Sequence, residues 1–168
     1  MKERTAQQRA KRPRSVIAGP YGHPFHPILV TVPIGAWVAS LIFDVIGFVV
    51  EDPTPYVVGA RVLILIGIVG AVAAAAIGFV DYTVLARGTP AHRTATIHMA
   101  LNLGVTVLFL INLLVRWAAD DDEVSILGFI LSIVGLGALS FSGWLGGKLA
   151  YHYGVRVADE STQAEGFR

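Results

Sequence analysis

Five histidines carry most of the chemical potential of this 168-residue sequence, at His23, His26, His92, His98 and His152. The first two stand in the stretch GHPFHPILVTVP, residues 22–33, as two His-Pro pairs at the threshold of a long apolar run. An imidazole in such a place can ligate a metal, carry a proton or mark the polar boundary of a membrane segment. Pro24 and Pro27 push His23 and His26 toward extended, polyproline-like geometry, which sets the two rings on the same side about 9 Å apart. That is too far for one ion to be chelated by both, so each needs a partner from another segment. Pro27 suits the first helical position, leaving His26 as the cap. Pro33 is expected to bend the helix that follows and free a carbonyl near Leu29.

The partners come from i, i+4 patterns further along. Thr94, His98, Asn102 and Thr106 draw a polar stripe down one helix face, which should look into a bundle interior. His98 lies about a turn inside the boundary at a depth that His26 can match, so His26 and His98 form the leading pair of candidate ligands, with His23 and His152 beside them. Asp81, at the end of another apolar run, could fix a ring nitrogen of either histidine, with Asn102 in the same supporting role. Trp144, Lys148 and His152 again recur at i+4, and Lys148 is the expected counter-charge for Asp81. Asp44, about 25 Å along its helix from Pro27, sits near the opposite membrane face. An unpaired charge there would cost on the order of 3 kcal/mol, and Arg61 is its expected partner.

What must position these groups is a membrane bundle. The chain is 54% hydrophobic and 15% charged, with a mean hydropathy of +0.63. Apolar stretches run over residues 27–50, 56–80, 94–117 and 124–150, each near or above the roughly 20 residues that cross hydrocarbon. None alternates with period two, which excludes a barrel. The first stretch is too long for a signal peptide and lacks a cleavage site, so it reads as a retained span. The expected fold is all-α, an integral membrane four-helix up-down bundle. Lys and Arg gather in the N-terminal arm, the middle loop and the tail, while the other two loops, EDPTP and ADDDE, are acidic. Both termini are therefore expected in the cytoplasm, and every histidine then lies at the cytoplasmic rim.

Three segments follow: a basic arm over 1–20 that contacts anionic lipid rather than nucleic acid, a transmembrane domain over 21–157, and a disordered tail over 158–168. The glycines of spans two and four suggest these two as the closely packed pair. No internal repeat stands out beyond the four-helix rhythm.

The stretches GHPFHPILVTVPIGAWVASLIFD, GFVDY, HRTATIHMALNL and GWLGGKLAYHYGVRV, in that order, resemble a bacterial membrane family catalogued as domain of unknown function 2231, over about residues 20–157. The resemblance implies a four-span inner-membrane protein. It also implies redox work, because some relatives carry a Rieske iron-sulfur domain after the last span or occur beside cytochrome modules. Many relatives look like GGHL where this chain has Gly146, Gly147 and Lys148; if that histidine is a ligand in the family, its absence weakens the ligand reading at position 148 and leaves His23, His26, His98 and His152.

Zero cysteines exclude disulfides, cysteine-ligated clusters and covalently attached haem within the chain. No exposed Ser-His-Asp set or metalloprotease motif points to an enzyme. Three readings stand. The first is an electron-transfer subunit holding haem b or a transition metal on two histidines from facing helices, serving a redox partner such as a Rieske-type protein. The second is a non-catalytic scaffold or partner subunit whose His, Asp and Lys cluster locks the rim. The third is a small transporter or proton channel. The sequence leaves the oligomeric state open.

Overall fold

A computed structural model describes residues 5–12, 15–19 and 23–167. Its helices are α1 (Ala6–Ala10), α2 (His26–Leu29), α3 (Thr31–Gly47), α4 (Thr54–Tyr82), α5 (Pro90–Trp117), α6 (Ile126–Gly147) and α7 (Glu160–Ala164), with a π-helical turn at Lys148–His152 between the last two. Among the described residues there is no strand. Four helices are long and apolar enough to cross a membrane: His26–Gly47, Thr54–Tyr82, Pro90–Trp117 and Ile126–His152.

The first span breaks at Val30, between α2 and α3. The break lies one turn before Pro33, whose ring cannot coexist with a regular carbonyl at Leu29. Threonine and serine start two of the other spans, with Thr89 accepting from the His92 N–H and Ser125 from the Gly128 N–H.

The bundle is turned out for lipid. Leucine, isoleucine and valine cover its outside, including Ile34, Ile42, Val62, Val69, Leu110 and Val134, while the fully buried side chains include Asp44, Ser40, Asn112, Arg116, Ser132 and Ser142. With lipid outside there is no hydrophobic drive inward, and helices associate through close packing and polar contacts. The apolar centre consists of Trp37, Ile64, Val105, Phe109 and Leu113. Trp37 and Phe109 stack with centroids 4.0 Å apart and planes 5° from parallel, and the Trp37 indole N–H donates to the Ile64 carbonyl at 3.2 Å.

The helices pair as hairpins, α3 with α4 and α5 with α6. The glycines do not join spans two and four, as their density suggests, but receive large side chains from spans one and three. Gly67 abuts Trp37, Gly70 abuts Val32, Gly128 abuts Arg116 and Gly135 abuts Phe109.

The described parts of both terminal segments meet the end of the bundle that carries the histidines. Instead of lying free, α1 packs its buried Ala10 against Leu85 and Ala95, with Tyr82, Leu149 and Val155 around them. Residues 160–164 of the tail form α7, capped by Asp159 accepting from the Thr162 N–H. Two hydrogen bonds on the Asp159 carboxylate, from Thr162 and Ser161, lower its pKa from 3.8 to about 2.

Candidate functional site

The fold brings His26 and His98 together: their ring centroids are 6.3 Å apart and the planes cross at 86°. Each ring is tied to the neighbouring helix of its own hairpin. His26 Nδ1 lies 2.9 Å from the Ala74 carbonyl, and His98 Nδ1 lies 2.9 Å from the Ser142 carbonyl. A carbonyl only accepts, so both Nδ1 atoms carry the proton and both Nε2 atoms keep the lone pair in the neutral rings. Asp81 is not the group that fixes either tautomer; backbone carbonyls do this.

Glycines make room for both rings. A methyl group at Gly78 would fall 2.8 Å from His26 Nδ1, and one at Gly146 would fall 3.2 Å from His98 Cε1. Glycine and carbonyl are one helical turn apart in each case, so the ring lies along the groove of the helix that it bonds to. The polar stripe of α5 does face inward. Asn102 Nδ2 donates to Ser142 Oγ at 2.7 Å and to the His98 carbonyl at 2.8 Å, and sits 3.3 Å from His98 Nε2.

The remaining histidines stand apart from this pair. His23 and His152 are exposed; the His152 ring packs on Tyr153 at 4.8 Å and the His92 ring on Tyr82 at 4.9 Å. Among the described residues no group of three or more His, Asp or Glu side chains could hold a metal ion together.

Two expected ion pairs are replaced. Asp81 pairs with Arg156, Nε to Oδ1 at 3.0 Å, and not with Lys148. Lys148 Nζ lies over the Trp144 and Tyr153 rings at 5.8 and 5.7 Å, because the π turn that begins at Lys148 directs it toward these aromatics. Arg156 has φ of +61°, a left-handed conformation costly for a side chain with a Cβ. That geometry turns its guanidinium under the rim, where Nη2 donates to the Ala18 carbonyl at 3.0 Å, while its own N–H donates to the Ala10 carbonyl at 3.0 Å. Arg156 thus ties the N-terminal segment, the last loop and span two at one point.

At the opposite end Asp44 pairs with Arg116, not with Arg61. Both carboxylate oxygens accept from the guanidinium at 2.6 Å, and Arg116 Nε donates to Asn112 Oδ1 at 2.8 Å. Ser132 Oγ accepts from Asn112 Nδ2 at 2.9 Å, completing a fully buried network. Arg61 instead pairs with Asp121 and donates to the Ala119 carbonyl at 3.1 Å. Asp44 and Arg61 follow each other across one short loop, which made them the obvious pair; the diagonal contact of spans one and three decides otherwise.

A family model described as a predicted membrane protein, DUF2231, matches residues 22–159. The chain belongs to this family of predicted membrane proteins. The match runs from before the first span to just beyond Arg156, so it includes both histidines, both buried ion pairs and the glycine seats. No curated protein and no solved structure matches the chain.

Proposed function

We propose that this DUF2231 protein is a membrane electron-transfer subunit that holds haem b between His26 and His98. The observation that carries the reading is the histidine pair itself. A metal–imidazole bond is about 2.0–2.1 Å, so two such bonds end to end, plus two ring radii of about 1.1 Å, span about 6.3 Å. The centroid separation of 6.3 Å matches that sum, so His26 and His98 are the residues that would hold one metal between them. The donor set favours haem over a bare ion. Two protein nitrogens leave a bare ion short of ligands, and haem brings four of its own. The chain's part is to fix ring orientation and basicity through the two Nδ1–H···O=C bonds and to keep water away from the site with apolar helices.

The bound group would supply one-electron redox chemistry. The gathering of basic residues at the histidine end supports, by the positive-inside rule, a reading in which that end faces the cytoplasm of a bacterial cell and meets a redox partner such as a Rieske-type protein. The test is the visible spectrum of the detergent-purified protein, oxidised and dithionite-reduced, with iron measured on the same sample. A Soret band with reduced α and β bands, lost in His98→Ala, is the expected result. A colourless protein that binds no added haemin overturns the reading.

A scaffold reading draws on one observation: both rings are already docked on helix carbonyls, so they tie hairpins together without any ligand. Under it the protein is colourless, and His26→Ala and His98→Ala lower only its stability.

A further inference from the structure

The two histidine seats repeat each other in the sequence. His98 lies 72 positions after His26, and the same offset relates Phe109 to Trp37 and Arg116 to Asp44. On the receiving helices an offset of 68 relates Gly128 to Ala60, Gly135 to Gly67, Ser142 to Ala74 and Gly146 to Gly78. The contacts follow the offsets. His26 bonds carbonyl 74 and lies on Gly78, as His98 bonds carbonyl 142 and lies on Gly146. Trp37 lies on Gly67, as Phe109 lies on Gly135.

A second regularity is independent of the first: in three layers a residue touches its own counterpart. His26 meets His98, Trp37 stacks on Phe109, and Asp44 pairs with Arg116. A position contacts its own equivalent only on a twofold axis. Spans one and three run in the same direction, so this axis runs along the bundle.

We propose that the four spans are two copies of one helical hairpin fused in a single chain, packed about a pseudo-twofold axis parallel to the membrane normal. The histidine pair is then one site made from the same residue of both copies. Asp44 and Arg116 are the determinant that fits the halves to each other: a copy facing itself would place Asp against Asp or Arg against Arg in a buried layer, and like charges there are repelled. The remaining differences fit the same frame. Gly128 gives the Arg116 guanidinium room that Ala60 need not give the shorter Asp44. Copy one fills the level above with Val32 against Gly70, whereas copy two has Gly104 and Ala138 and leaves an open apolar groove of about 410 Å³.

The test exchanges residues across the axis in the full chain. Trp37→Phe with Phe109→Trp moves the indole from the Gly67 seat to the equivalent Gly135 seat, where the carbonyl of residue 132 replaces that of Ile64 as acceptor. Each single variant should lose about 5–10 °C in Tm, and the exchange should return to within about 3 °C of the unmodified protein. An exchange that loses as much as the two singles combined overturns the proposal. Foldedness is checked separately, because the chain has no cysteine. Cysteines at Ser40 and Asn112, equivalent positions between two self-contacting layers, should cross-link and hold the two halves together after cleavage of the 83–89 loop. Cross-linking of the off-register pair 40 and 105 in their place also overturns it.

Discussion

Arg116→Met tests what the buried charge layer contributes. The substitution keeps most of the side-chain volume but leaves the Asp44 carboxylate, 1% exposed, without either of its 2.6 Å hydrogen bonds. It also strips Asn112 Oδ1 of its Nε–H donor. Breaking a buried pair by removing one partner costs about 3–5 kcal/mol, and for a chain of this size each kcal/mol moves Tm by about 2–4 °C. The expected fall is on the order of 10–15 °C in a thermal melt of the detergent-solubilised protein. Removing both charges, as Asp44→Leu with Arg116→Met, leaves no orphan and should recover most of that loss. The reasoning is refuted if Arg116→Met costs no more than the 1 kcal/mol of an exposed pair, or if the double variant is worse than the single.

Other outcomes follow from the same contacts. Gly78→Ala puts a methyl group against His26 Nδ1 and should break its bond to carbonyl 74, whereas Gly104, with nothing within 4 Å, should accept alanine and gain about 0.5–1 kcal/mol; urea or thermal melts of both compare them directly. His26→Ala and His98→Ala should be equivalent in spectrum and stability, and His92→Ala should change neither, as measured side by side. Arg156→Ala relieves the left-handed backbone little but unties Asp81, Ala18 and the N-terminal segment, so proteolysis near residues 10–20 should accelerate severalfold. For α7 the sign follows from Asp159. Its pKa is lowered from 3.8 to about 2, so the cap stabilises the helix fully above about pH 4 and is lost as pH falls through about 2. An NMR titration of the Asp159 carboxyl that gives an ordinary value refutes the cap.

The four spans were legible because lipid imposes a length and a composition that few soluble segments share. The His26 and His98 pairing was legible for a related reason: antiparallel spans with short loops bring alternate ends to one face, and equal depth then selects partners. The ion pairs were not legible, because depth alone leaves several candidates at each end. Asp44 could reach Arg61 or Arg116, and Asp81 could reach Lys148 or Arg156. Which is reached depends on rotation about the helix axis and, for Arg156, on a backbone that no propensity favours. Arg116 carried a usable signal, since it stands at i+4 from Asn112 on the inward face that also holds Phe109 and Val105.

The glycines misled for a physical reason. A small residue in a membrane helix signals close approach, but not what approaches. Here it is a ring or a guanidinium from the diagonal helices, so the glycines of spans two and four act as seats. Once seats are matched to occupants, the spacings 11 and 7 from His26 through Trp37 to Asp44 reappear from His98 through Phe109 to Arg116. The repeat hides from inspection because, apart from its histidines, two of its glycines and a few leucines common in any membrane helix, its positions differ, and because the two offsets differ by about one helical turn.

That difference bears on function. A site that binds one group through two histidines, as proposed for His26 and His98, needs two donors facing each other across a gap. A duplicated hairpin supplies the second donor, its carbonyl anchor and its glycine seat in one event, already related by the symmetry that makes them face. Once fused, the copies can diverge where the site does not need identity, as at Asp44 and Arg116. They are held alike where it does, at the histidines and the glycines beneath them. Both the histidine layer and the aromatic layer, Trp37 on Gly67 and Phe109 on Gly135, stayed alike, whereas the level of Val32 and Gly104 and the charged layer of Asp44 and Arg116 diverged.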